Sequence, residues 1–159
     1  MTAVTPGDAF AGHTPSSPRG LTYGTGGLNL RDPFTAVVAV LIVLQIKHFV
    51  CDFPLQTLKM VQSKGTYLHP AGMLHSAIHA VATTSAFFVV TPTLPLGLAI
   101  VVGEFLFHYH IDWGKEQINQ RMGYTAAKTA FWWALGADQL VHHLTYIGIA
   151  VILVRAMVG

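Results

Sequence analysis

Four apolar runs, each about the 20 residues that a bilayer-spanning helix needs, dominate this chain. They are Phe34–Phe53, Pro70–Val90, Leu94–Trp113 and Phe131–Val154. Few folds accommodate four such runs in 159 residues. Charged residues make up 10% and apolar ones 52%, where a soluble domain carries about 25% charged residues. Mean hydropathy is +0.51. This composition excludes a disordered chain, a coiled coil and a basic protein that coats nucleic acid. The expected fold class is all-α: an integral membrane four-helix bundle over residues 34–159, preceded by a disordered N-terminal tail over 1–33. The net charge of +2 and the single Cys add two limits. The charge points to no polyanionic partner, and one Cys allows neither an intrachain disulfide nor a Cys-rich zinc module.

The tail is rich in Gly, Pro, Ser and Thr and has no apolar period, so it cannot bury a core. It lacks the basic stretch and apolar run of a signal peptide, so insertion through the first helix is expected. Asp32-Pro33 and Pro70 read as helix starts. Thr91–Pro95 reads as a short turn. The connection after the first helix carries Lys59 and Lys64, and the one after the third carries Lys115, Arg121 and Lys128; the turn at 91–95 carries no charge. The positive-inside rule places the basic connections in the cytoplasm and both termini outside. Trp113, Tyr124, Trp132 and Trp133 then form an aromatic belt at that boundary. The stretch Pro54–Gly65 reads either as a short interfacial helix, with Leu55, Leu58 and Val61 on one side, or as an ordinary loop.

Each run also carries polar residues that lipid does not tolerate unpaired. His48 and Asp52, His75 and His79, His108 and Asp112, and Asp138 and His142 are four pairs at i, i+4 spacing. That spacing puts both members on one helix face. The pairs lie near the C-terminal ends of runs one and three and in the N-terminal halves of runs two and four. An up-down bundle therefore brings all eight residues to one layer, one to two turns below one membrane face. Imidazole and carboxylate together suit zinc, iron or manganese, and facing helices of bundles build one- or two-ion sites this way. A hydrogen-bonded polar network without metal uses the same residues. Glu104 continues the His108–Asp112 stripe at greater depth and reads either as a ligand or proton acceptor or, in preference, as a protonated, hydrogen-bonded carboxyl. Gln56 and Gln139 are candidates to hold ligands by hydrogen bonds. Lys47 and Lys115 are expected to snorkel to the boundary, and Lys115 is also a candidate for meeting a phosphate. Cys51 reads as packing, His13 as inert and His69 as facing water. His110 and His143 point away from their neighbours' faces. Gly72, Ala77, Ala80, Gly103 and Gly136 are expected to permit close helix approach.

The ordered set His48-x-x-x-Asp52-Phe53-x-x-Gln56, His75-x-x-x-His79, His108-x-x-Ile111-Asp112-x-x-Lys115 and Asp138-Gln139-x-x-His142 resembles domain-of-unknown-function family 3307. The resemblance covers roughly residues 38–154. It implies a small bacterial or phage membrane protein, in a bacterial inner membrane or a host membrane, and supplies no activity. The pattern is also similar to that of membrane-bound metal-dependent hydrolases, by analogy only. Three functions are open: a metal-dependent hydrolase acting on a lipid or phosphoester, transport of a proton or divalent cation, and a non-catalytic accessory module. In the hydrolase reading the general base stays unassigned among the three Asp residues. No nucleic-acid or nucleotide partner is indicated. The small bundle favours a homo-oligomer.

Overall fold

The computed structural model describes residues 29–159, and every regular element among them is helical. The tail reading and His13 lie outside the described residues, apart from its last five positions. In chain order the helices are α1 (Pro33–Asp52), α2 (Leu58–Ser63), α3 (Pro70–Thr83), α4 (Leu94–Met122) and α5 (Thr129–Val158), with a 3-10 turn at Thr84–Phe88 after α3. Helices α1, α4 and α5 are long and apolar enough to cross a membrane.

Local sequence sets these limits. Asp32 caps α1 by accepting the Thr35 N–H at 2.8 Å, ahead of Pro33 in the first turn. The same backbone bond holds its carboxyl below the ordinary carboxylate value. Pro54 follows α1 and cannot continue it. His69, expected to face water, instead caps α3: its Nδ1 accepts the Ala71 N–H at 3.1 Å, next to Pro70. The second apolar run was expected as one helix to Val90, yet the α-helix stops at Thr83. The hydroxyls of Thr83, Thr84 and Ser85 donate to the carbonyls of His79, Val81 and Ala82. Such bonds compete with the helical ladder, and the chain tightens into 3-10 geometry. Helix α4 runs nine residues past the expected Trp113, through polar sequence without a breaker. It ends at Gly123, whose φ of 60° is the left-handed cap that favours glycine.

Packing joins the helices in a ring. Helix α1 lies against α3 and α5, and α4 also lies against α3 and α5. Helix α2 packs only on α3. Gly72 faces the end of α2, but a Cβ there would stand 3.7 Å from Ser63 Oγ, an ordinary packing distance, so the approach does not require glycine. Gly103 and Gly136, expected at close approaches, face open space.

The surface and the interior are inverted relative to a protein in water. Phe107 is 65% exposed and Leu140 58%, while Lys47 is 6% exposed and Glu104 4%. One half of the ring is filled by an apolar core from Val40, Leu44, Ala86, Tyr146, Ala150 and Leu153 among others. The other half holds the polar residues. Trp132 and Trp133 stand outside, at 56% and 73% exposure.

Candidate metal centre

Each helix of the ring contributes one pair to the polar half. His48 and Asp52 come from the last turns of α1, and His75 and His79 from the first half of α3. His108 and Asp112 come from the middle of α4, and Asp138 and His142 from the first half of α5. Their i, i+4 spacing lines each pair along the inner face. The structure brings all eight together, and seven are buried; Asp52 is partly so, with 11% of its side chain exposed.

Two donor groups stand out. Asp52, His75, His79 and His108 offer ligand atoms that all lie within 4.8 Å of one another, and so do His108, Asp112 and His142. In the first group, Asp52 Oδ1 is 3.3 Å from His75 Nε2 and 3.2 Å from His79 Nε2. His75 Nε2 and His108 Nε2 are 3.4 Å apart. Four ligands at about 2.0–2.1 Å from a tetrahedral zinc ion stand about 3.3–3.4 Å from each other. The three separations given match edges of such a tetrahedron, and the other three lie within 4.8 Å, so this donor set could hold a metal ion. In the second group the spacings are wider. His142 Nε2 is 3.6 Å from Asp112 Oδ1 and 3.6 Å from Asp138 Oδ1, and His108 Nε2 is 3.5 Å from Asp112 Oδ2.

His48 belongs to neither group. Its Nε2 is 3.0 Å from Asp52 Oδ2 and 2.9 Å from Gln139 Oε1, and its Nδ1 is 2.8 Å from Tyr146 Oη. Both ring nitrogens are therefore engaged, and His48 orients Asp52 rather than offering a free lone pair. Gln139 also donates to Asp138 Oδ2 at 3.3 Å, as its expected supporting place requires. Gln56 reaches only the Asp52 backbone carbonyl, at 2.6 Å.

Three groups escaped the sequence reading. Lys47 does not snorkel: its Nζ pairs with Glu104 Oε1 at 2.8 Å inside the ring, donates to the His79 carbonyl at 3.3 Å and sits 4.5 Å from the Tyr146 ring centre. Glu104 is thus half of an ion pair, not an isolated protonated carboxyl. Lys64, just past α2, pairs with Asp112 Oδ2 at 2.9 Å. Tyr146 is fully buried against His48. Its signal was present, one turn beyond His142 on the Asp138–His142 stripe. His110 faces out, bonded to the Leu106 carbonyl at 2.7 Å. His143 lies beside His48, with ring centres 5.4 Å apart.

Charge sharpens the picture. Asp52, Glu104, Asp112 and Asp138 are four carboxylates in this polar half, facing only the ammonium groups of Lys47 and Lys64. Buried charge of one sign is costly unless compensated.

Among the described residues, fold and centre together define an all-helical unit with three membrane-length helices and a largely buried His/Asp cluster that could hold a metal ion. The chain belongs to the family described as protein of unknown function DUF3307, whose model matches residues 40–158, a span that includes all eight residues of the cluster. No curated protein matches the chain, and no solved structure does.

Proposed function

We propose that this chain is an integral membrane metalloprotein, a four-helix bundle that holds a divalent ion of the zinc class near one membrane face. The observation that carries this reading is the convergence of ligand atoms from Asp52, His75, His79 and His108 within 4.8 Å of one another, with Asp52–His75, Asp52–His79 and His75–His108 at 3.2–3.4 Å. Four spans fit the lengths: α3 and its 3-10 turn have a contour of about 31 Å, near the hydrocarbon thickness. The basic connections favour a cytoplasmic side for the site.

The chemistry that fits is hydrolysis of an ester or phosphoester carried by a lipid, which reaches an interfacial site from the bilayer. A bound ion would lower the pKa of a water and polarise the scissile bond. The protein's part is to orient and to accept a proton. Asp138 Oδ1 is buried without a hydrogen-bond partner, so it is the carboxylate oxygen free to act as base. Gln139 holds the other oxygen, and Tyr146, through His48, fixes Asp52. Transport across the bilayer fits less well, because the apolar core beyond Lys47 and Glu104 closes the other half of the ring.

X-ray absorption at the zinc edge of protein loaded in detergent tests the centre. Three imidazoles and one carboxylate oxygen at about 2.0–2.1 Å are expected, and a shell dominated by water would refute it. Hydrolysis is tested on lipid and phosphodiester substrates. Turnover should be chelator-sensitive and should fall by about 10²-fold or more in Asp138→Asn with metal retained; an unchanged rate in that variant removes Asp138 as base.

A further inference from the structure

We propose that Lys64 is a built-in counter-cation that occupies the second donor group, so that the folded protein takes one divalent ion and not two. This rests on the reading of the Asp52, His75, His79 and His108 group as an ion site.

The second group is a credible ligand set on its own. His142 Nε2 faces Asp112 Oδ1 and Asp138 Oδ1, each at 3.6 Å. The group itself offers one carboxylate and two imidazoles, with His108 shared with the first group, and Asp138 adds a second carboxylate beside His142; such donors suit zinc, manganese or iron. Asp138 Oδ1 is buried and without a hydrogen-bond partner. Left alone, this group would attract a cation.

A cation is already there. Lys64 Nζ lies 2.9 Å from Asp112 Oδ2, and only 9% of its side chain is exposed. It enters from outside the helix ring, from the segment after α2, and that segment is pinned to α4. Gln117 Nε2 donates to the Gly65 carbonyl at 2.7 Å, and the Leu68 N–H donates to Tyr109 Oη. Gly65 lies close to α4, where a Cβ would meet the Gln120 amide and press on Glu116 Cγ at 3.1 Å. Leu68 adopts a left-handed φ of 56°, a conformation rare for a bulky residue. The loop therefore holds the ammonium at the carboxylate. An ammonium and a divalent ion on the same carboxylate repel each other.

Equilibrium dialysis of full-length, detergent-purified, metal-stripped protein against zinc, followed by elemental analysis, tests this. The wild type should saturate at about one equivalent and Lys64→Gln at about two, a doubling. Lys64→Arg, which keeps the charge, should stay at one, and Lys64→Gln with Asp138→Asn should return to one. Lys64→Met keeps the apolar stem and replaces the Gln variant if that does not fold. One equivalent in the folded Gln or Met variant, or two in the wild type, overturns the proposal. No zinc in folded wild type is a different failure, which overturns the ion site itself.

Discussion

Lys47 shows how a single residue is governed by its surroundings. Its stem is long enough to reach a membrane boundary, but Glu104, the Tyr146 ring and the His79 carbonyl hold its ammonium inside. Removing one partner from a pair exposed by only 5% and 2% strands a buried charge. Lys47→Met should therefore cost about 3–5 kcal/mol. Lys47→Met combined with Glu104→Gln should recover most of that loss, as measured by thermal unfolding in detergent. At this scale the stripes were readable from sequence: i, i+4 spacing alone selects His48 with Asp52 and Asp138 with His142. What was not readable is pairing between helices. Nothing local distinguishes Lys47, which turns inward, from Lys115, because the difference is made by Glu104, 57 positions away. Lys64 meets Asp112 for the same kind of reason.

At the level of elements, four apolar runs were legible because length and hydropathy are summed over many residues. Their ends were not, because side chains decide them. The hydroxyls of Thr83, Thr84 and Ser85 shorten α3. Polar residues after Trp113 carry α4 out to Gly123. The stretch 54–65, open between helix and loop, contains a helix only over Leu58–Ser63. Its Leu58 and Val61 are exposed while Met60 and Ser63 are buried, so one face is left for the interface. The connection after α2 runs close to α4 at Gly65, where the nearest atom to an added Cβ is the tip of the exposed Gln120 side chain. That amide can swing into solvent, so Gly65→Ala should change the unfolding temperature little; a large fall that Gln120→Ala reverses would show that the amide is held in place.

Across the whole molecule, the arrangement is an inverted one: apolar outside, charged within, with the polar half at one end of the ring and an apolar plug at the other. That layout makes orientation testable. In a Cys51→Ser background, Thr93→Cys should react with a membrane-impermeant maleimide from the outside of intact cells, and Arg121→Cys only after permeabilisation. The reverse pattern would invert the topology inferred from Lys59, Lys64, Lys115, Arg121 and Lys128. Everything at this scale turns on whether the cluster holds a divalent ion. Elemental mass spectrometry of protein purified in detergent without chelator tests it most directly, with Asp52→Asn and His79→Ala beside the wild type. About one equivalent of zinc, manganese or iron per chain, falling below about a tenth in both folded variants, is the predicted result. Folded wild-type protein without metal, or equal metal in all three, would contradict it and leave the four pairs as a polar core held by hydrogen bonds and ion pairs alone.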